Sequence, residues 1–148
     1  MRTIFALATA RGKSGVAVLR ISGPDAFAIG TSLCGSLPGV GCFSLRRVTD
    51  ALGELIDQAL VLTFQAPASF TGEDVVELQV HGSMAVVRRI EDAISGTGLA
   101  SPAPAGEFTR RALMTDRLDR AQVEGLGDLI DAETEAQRRL AVQLFDGG

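Results

Sequence analysis

The chain has no tryptophan and no tyrosine, and its 148 residues include one histidine, two cysteines and seven phenylalanines. A hydrophobic core must therefore be mainly aliphatic, which the 46% content of hydrophobic residues allows. Cys34 and Cys42 lie eight positions apart in a glycine-rich region, a spacing that matches no compact metal site. We interpret them as reduced thiols of a cytosolic protein, with a disulfide as the less favoured alternative. The length fits one compact domain with a helical appendage.

An excess of positive charge is also absent. Fourteen lysines and arginines stand against 18 aspartates and glutamates, which gives a net charge of −4. Proteins that hold RNA through its phosphates present basic surfaces, so this composition argues against a broad RNA-binding surface. We therefore expect no binding of RNA by this chain alone.

Long apolar runs are missing as well. No stretch approaches the roughly 20 residues of a membrane-spanning helix. Ala8-Thr9-Ala10 imitates a signal-peptide cleavage site, but the apolar run before it is too short, and Arg11, Lys13 and Arg20 follow at once. We expect a soluble, cytoplasmic protein with no membrane partner.

Short apolar runs separated by turn residues predict an α+β domain. Ser22-Gly23-Pro24-Asp25 ends a strand and begins a helix that extends to about Leu33. Apolar residues at helical spacing predict a second helix over Ser83 to Ser95, whereas Asp50 to Asp57 and Ser101 to Ala105 are interpreted as connections. The predicted strands are Thr3 to Ala8, Val16 to Ser22, Phe43 to Thr49, Gln58 to Phe64 and a strand that begins at Val75.

From Phe108 onward the pattern is helical only. Apolar residues recur with charges between them, at Leu126, Leu129, Ile130, Leu140 and Leu144. We place a boundary near Leu118, with an α+β domain over residues 1–118 and a long helix over residues 119–148. The acidic residues of that helix spread around several faces and are interpreted as a solvated surface; they are Asp128, Asp131, Glu133 and Glu135.

The densest polar chemistry lies in Phe70 to Gly82, which reads Phe-Thr-Gly-Glu-Asp-Val-Val-Glu-Leu-Gln-Val-His-Gly. Strand alternation places Glu77, Gln79 and His81 on one face, opposite an apolar face. His81 can titrate near neutral pH, but no catalytic triad or metal-ligand set is recognisable. We favour a structural or pocket-lining role for His81 over a catalytic one.

Gly12-Lys13-Ser14 suggests a phosphate-binding loop. That motif requires a glycine five residues before Gly12, where this chain has Leu7, and a helix after Ser14, where the sequence predicts a strand. We therefore expect no GTPase site in these residues.

Four segments together resemble the amino-terminal region of the bacterial tRNA-modification GTPase family MnmE, also called TrmE. They are Val18 to Gly23, Phe70 to Gly82, Gly106 to Arg111 and Asp128 to Thr134. The resemblance runs from Thr3 to about Leu144 and implies a tetrahydrofolate-binding and dimerisation domain over residues 1–118. This domain would have a mixed sheet with flanking helices, similar to the aminomethyltransferase type. Residues 119–148 would be the first helix of a truncated helical domain, and the GTPase domain would be absent.

The resemblance also implies three folate-binding residues. Glu77 falls at the family's pterin-binding glutamate, and a carboxylate can accept adjacent N–H donors of a pterin side by side. Arg20 falls at a binding arginine, although by itself it could be a solvated cation on an open sheet face. Arg117 aligns with a basic residue that contacts folate. Arg110 and Arg111, by contrast, are interpreted as helix caps and surface pairs.

For function, the resemblance implies a reduced folate, 5-formyl- or 5,10-methylene-tetrahydrofolate, that supplies one carbon to the wobble uridine of tRNA. The partners would be a second copy of the chain and a flavoprotein of the MnmG type, with tRNA bound only by the full complex. GTP, magnesium and potassium would belong to the absent domain. Two alternatives are a dimerisation module with a vestigial pocket and a stand-alone folate-dependent transferase.

Overall fold

A computed structural model of the chain describes residues 2–8 and 15–114. Within them lie six strands and three helices, which make an α+β fold. In chain order they are β1 (Thr3–Leu7), β2 (Val16–Ser22), α1 (Ala26–Cys34), β3 (Phe43–Thr49), β4 (Leu55–Phe64), β5 (Val75–His81), α2 (Met84–Gly96), β6 (Ala100–Pro102) and α3 (Glu107–Met114).

The six strands form one mixed sheet in the order β3-β4-β5-β2-β1-β6. All neighbouring strands are antiparallel except β1 and β6, which are parallel. The predicted α+β class with a mixed sheet is confirmed. Among residues 2–8 and 15–114, no helix combines the length and the apolarity that crossing a membrane requires.

Helices α1 and α2 pack on one side of the sheet, because alternate strand residues on that side are aliphatic. We call this side the closed face. Its buried strand residues include Leu19, Ile21, Val61, Val76 and Leu78, and α2 adds Val87, Ile90 and Ile94 to the same core. The opposite side, the open face, carries Val18 and Arg20 of β2, Leu60 and Leu62 of β4, and Glu77 and Gln79 of β5, all of them partly exposed.

The turn after β2 packs against the start of β1. Gly23 has a φ of +140°, and a Cβ at this position would lie 2.5 Å from the Thr3 Cα. Only glycine fits so close a backbone approach. The Thr3 hydroxyl then accepts the Asp25 backbone N–H at 2.9 Å, next to the start of α1. The predicted end of the strand and start of the helix are therefore confirmed.

Two predicted connections contain strand residues. β4 begins at Leu55, within the predicted connection, and β6 overlaps the start of the segment Ser101 to Ala105 that is interpreted as a connection. β6 has only three residues and ends in Pro102, so its local pattern is weak and its pairing with β1 depends on tertiary contacts. The second predicted helix is confirmed as α2, with the Ser83 hydroxyl accepting the Val86 N–H at its start.

Several predictions lie outside the described residues. They are the Gly12-Lys13-Ser14 loop, Arg117, the boundary at Leu118 and the helix over residues 119–148 with its acidic side chains. Each of them stays a prediction.

Candidate functional site

Arg20 and Glu77 meet on the open face because of the strand register. They are directly opposite each other in the antiparallel β2–β5 pair. The Arg20 Nη2 lies 2.9 Å and its Nε 3.3 Å from the Glu77 Oε1, so both N–H groups donate to one carboxylate oxygen. The Glu77 side chain is 14% exposed and that of Arg20 is 30% exposed. The two side chains form a partly buried ion pair that solvent still reaches.

The second oxygen of Glu77 has a weaker partner. Gln79 Nε2 donates to the Glu77 Oε2 across 3.3 Å, a long hydrogen bond between alternate residues of β5. An ionised carboxylate offers about four lone-pair sites. Glu77 can therefore accept further donors without breaking its contact with Arg20.

A cavity of about 530 Å³ opens above this ion pair. It is lined by Arg20, Phe64, Ala68, Ser69, Phe70, Thr71, Val75 and Glu77. Phe70, one of these lining residues, is half exposed. The volume is within the usual range for small-molecule sites, and a few polar groups among apolar walls are typical of them.

Residues 68–73, which we call the cavity loop, contribute one wall through residues 68–71. The Ser22 hydroxyl lies 2.8 Å from the buried Thr71 hydroxyl and also donates to the Glu73 Oε1 at 2.8 Å. The Ser69 hydroxyl donates to the Glu73 backbone carbonyl. The cavity loop is thus closed on itself and attached to the end of β2.

Arg111 holds the same loop from α3. Its Nη1 donates to the Glu73 Oε1 at 2.9 Å, its Nε to the Glu107 Oε2 at 3.0 Å, and its Nη2 to the Arg2 carbonyl at 2.7 Å. The residue is only 3% exposed. Arg111 does pair with Glu107, but the interpretation of it as a surface residue was wrong: the side chain is buried, and its other partners, Glu73 and the Arg2 carbonyl, come from segments distant in sequence. Arg110 does make the expected exposed pair, with Glu107 at 3.4 Å.

His81 lies away from the cavity lining. Its Nδ1 is 2.8 Å from the Asp57 Oδ1, and its backbone N–H donates to the Asp57 Oδ2 at 2.9 Å. Burial of Asp57 opposes ionisation, but the hydrogen bonds from His81 and from the Gln58 backbone outweigh it and lower the pKa of Asp57. The imidazole is 74% exposed, beside a shallower cavity of about 230 Å³ that Gln79 also lines. His81 therefore pairs with Asp57 and lines this second cavity, not the one above Arg20 and Glu77, and its role stays a prediction.

The two cysteines are both free thiols, in accord with the favoured interpretation. Burial raises the pKa of the Cys34 thiol to about 11, an effect that the nearby charge of Arg46 only partly offsets. Cys42 is exposed. Within residues 2–8 and 15–114, no group of three or more histidine, cysteine or acidic side chains is arranged to hold a metal ion.

Of the three predicted site residues, the structure brings Arg20 and Glu77 together, and Arg117 lies outside the described residues. Sequence reasoning missed the contact between the first two, since it depends on the register of strands far apart in the chain. It also missed Phe64 as part of the cavity lining. The signal for the cavity loop was present in Phe70-Thr71-Gly72, whose turn precedes β5.

Comparison with known proteins gives a consistent result. A family model described as GTP-binding protein TrmE N-terminus matches residues 3–117. The tRNA modification GTPase MnmE of Jannaschia sp. (strain CCS1) is 68% identical over 148 residues, which are 100% of this chain and 35% of that protein. The same-named proteins of Roseobacter denitrificans and Granulibacter bethesdensis are 58% and 52% identical, each over 99% of this chain and 34% and 33% of their own lengths.

The chain thus spans about a third of the length of these relatives. The family match covers the whole sheet, the cavity loop and both residues of the ion pair. This chain belongs to the family of the GTP-binding protein TrmE N-terminus.

Proposed function

We propose that this chain binds a reduced folate, 5-formyl- or 5,10-methylene-tetrahydrofolate, with the pterin ring in the cavity above Arg20 and Glu77. The observation that carries the proposal is the position of this ion pair beneath a cavity lined by the side chains of Phe64 and Phe70. Aromatic side chains suit a flat heterocycle, and a carboxylate suits its neighbouring N–H donors.

The hydrogen-bonding capacity of Glu77 supports this orientation. Its Oε1 is occupied by Arg20, whereas its Oε2 has only the long bond from Gln79. The 2-amino group and ring N3 of a pterin would donate to the remaining lone pairs. Arg20 holds the Glu77 carboxylate in place, and its partly exposed guanidinium can reach a ligand carbonyl or carboxylate. Arg117 is the third proposed contact.

In the complete protein, this domain would serve 5-(carboxymethyl)aminomethyl modification of the wobble uridine of tRNA. The relatives' name, tRNA modification GTPase, supports that assignment. The folate would supply the one-carbon unit, and a flavoprotein of the MnmG type would act with it in the cytoplasm. GTP, magnesium and potassium would bind to a domain outside these 148 residues, and tRNA to the full complex. We propose that the fold resembles the aminomethyltransferase type, with a long helix after residue 118.

Calorimetric titration of the chain with 5-formyl-tetrahydrofolate tests the proposal. We expect binding, and we expect Glu77→Ala to weaken it about a hundredfold. This change removes two charge-assisted hydrogen bonds to the pterin. Water replaces part of them, so the net loss of binding free energy is about 3 kcal/mol. Glu77→Gln keeps the size of the side chain but removes the charge and one acceptor. Its affinity for the folate should lie between those of the wild type and of Glu77→Ala.

The outcomes also separate the alternatives. A folded chain that binds no reduced folate would indicate a dimerisation module with a vestigial pocket. Wild-type affinity in both Glu77 variants would place the pterin elsewhere. Transfer of a one-carbon unit by this chain alone to tRNA or to a small acceptor would instead support a stand-alone folate-dependent transferase.

We also propose that the chain forms a homodimer. Phe43 and Leu45 of the edge strand β3 are 69% and 66% exposed on the open face. Leu60 and Leu62 lie beside them on β4 and extend this apolar patch. Exposed apolar patches of this kind mark interaction surfaces, and twofold pairing is the commonest way in which a chain covers its own.

Light scattering at micromolar concentration should give the mass of a dimer. Leu45→Glu should yield monomers, since a second copy would have to bury the new charge. Ser44→Glu, one residue earlier and pointing to the other side of the strand, is the matched control and should remain dimeric. A wild-type chain that is purely monomeric would contradict the proposal.

A further inference from the structure

Arg111 contacts four separate parts of the fold from a buried position. Besides Glu107 of its own helix, its guanidinium meets Glu73 of the cavity loop, the Arg2 carbonyl before β1 and, at 3.5 Å, the Ser22 carbonyl at the end of β2. The side chain is 4% exposed. A buried charge is tolerated when it is paired and fully hydrogen-bonded, and these contacts meet that requirement.

The contacts of Arg111 continue to the cavity. Glu73 Oε1, which Arg111 Nη1 meets at 2.9 Å, also accepts the Ser22 hydroxyl at 2.8 Å. That hydroxyl lies 2.8 Å from the hydroxyl of Thr71, a completely buried residue of the cavity wall. Three successive contacts therefore join α3 to the wall, without Arg111 itself lining the cavity.

The geometry requires arginine at this position. A guanidinium presents five N–H donors in a planar fork, so it can bind two carboxylates and backbone carbonyls in different directions. A lysine keeps the charge but has one ammonium group and cannot reach all of these partners together. Glu73 and Glu107 would then compete for a single cation.

We propose that Arg111 is a positioning residue that fixes the cavity loop and so sets the shape of the cavity above Arg20 and Glu77. Its effect on affinity rests on the proposed folate function. Its effect on the loop does not, because the position of the loop can be measured without ligand. Arg111 acts through Glu73, Ser22 and Thr71.

The absence of tryptophan and tyrosine from the chain allows a direct test. Phe70→Trp places a single tryptophan, the reporter indole, on the cavity loop. In this background we expect Arg111→Lys to shift the emission maximum of the reporter indole and lower its anisotropy in the ligand-free protein. Arg110→Lys is the matched control, since Arg110 is exposed on the same helix and pairs with the same Glu107; it should leave both signals unchanged.

Titration of the same variants with 5-formyl-tetrahydrofolate gives the second readout. In chains that keep Phe70, Arg111→Lys should weaken binding about tenfold and Arg110→Lys less than twofold, where tenfold corresponds to about 1.4 kcal/mol. If wild type binds no folate, the proposed function fails, and the signals of the reporter indole alone decide the role of Arg111.

Ser22→Ala keeps the proposal testable if Arg111→Lys unfolds the chain. It removes the hydroxyl between Glu73 and Thr71 and leaves Arg111 intact. We expect the same direction of change in the emission of the reporter indole, with the circular dichroism of the folded chain preserved. Unchanged emission in the folded Ser22→Ala variant, or in folded Arg111→Lys, would overturn the proposal.

Discussion

The two faces of the sheet use the same strands in opposite ways. On the closed face, strand residues such as Leu78 are completely buried under α1 and α2. On the open face, its neighbours Glu77 and Gln79 stay partly exposed, and Glu77 accepts hydrogen bonds from both Gln79 and Arg20. Since adjacent strand residues point to opposite sides, one strand can supply stability with one set of side chains and binding with the other.

This division has a thermodynamic consequence. Burial of aliphatic side chains supplies most of the driving force for folding, and the closed face contains the main aliphatic core. The open face can therefore carry charged and polar groups whose contacts suit a ligand. Substitutions on the closed face should reduce the free energy of unfolding, and substitutions on the open face should mainly change ligand affinity.

The largest expected effect is on the closed face. Leu78→Ala removes a fully buried side chain and should lower the free energy of unfolding by about 2–5 kcal/mol, through lost burial and the remaining cavity. Gln79→Ala, one residue later on the open face, should change it by no more than about 0.5 kcal/mol. Urea unfolding followed by circular dichroism measures both. If Leu78→Ala and Gln79→Ala lowered the free energy of unfolding equally, the two faces would not differ in their contribution to stability.

The second-largest expected effect is on folate affinity and concerns the Arg20–Glu77 ion pair of the open face. Arg20→Ala should weaken folate binding about tenfold and Glu77→Ala about a hundredfold, but the double variant should also lose about a hundredfold. The effects should not add, because Arg20 acts largely by holding the Glu77 carboxylate that it contacts at 2.9 Å. The expected coupling energy is about 1.4 kcal/mol in a calorimetric cycle. A thousandfold loss in the double variant would show two independent ligand contacts.

Much of this division could be predicted from the sequence. The alternation of polar and apolar residues along Val75–His81 is enough to predict a polar face and an apolar face, whichever strands pair with this one. The helical spacing in Met84–Gly96 and the turn at Gly23 predicted the elements that cover the closed face. These signals are local, since they depend on the period of one segment or on the conformation of one residue.

The rest depends on contacts between distant segments. The Arg20–Glu77 pair joins residues 57 positions apart, and Arg111 reaches the Arg2 carbonyl across 109 positions. Nothing in the local pattern of Glu107–Met114 distinguishes a buried arginine from an exposed one, so Arg111 and Arg110 received the same interpretation. The sequence did not predict β6 either, because a strand of three residues is too short to show an alternating pattern.

The smallest expected effect concerns Asp57, which holds His81 at the exposed end of the open face. Burial acts to raise the pKa of Asp57, but the hydrogen bonds from the His81 backbone, the His81 ring and the Gln58 backbone lower it below its ordinary value of 3.8. An acid with a lowered pKa stabilises the fold when it is ionised. Its contribution is fully present above the ordinary value and is lost as the pH falls from there through the lower folded value.

Asp57→Asn should therefore lower the free energy of unfolding by about 1 kcal/mol at pH 7, the difference between a charged and a neutral hydrogen-bond acceptor. The deficit should shrink as the pH falls from about 3.8 through the lower folded pKa of Asp57, because the unfolded wild-type chain takes up this proton first. Urea unfolding from pH 7 to pH 3 measures it, and Glu54→Gln, an exposed change just before β4, should show only a small deficit. A deficit for Asp57→Asn that stays the same down to pH 3 would show that the charge of Asp57 contributes nothing to holding His81. The exposed end of the open face would then depend on the shape of the Asp57 side chain alone.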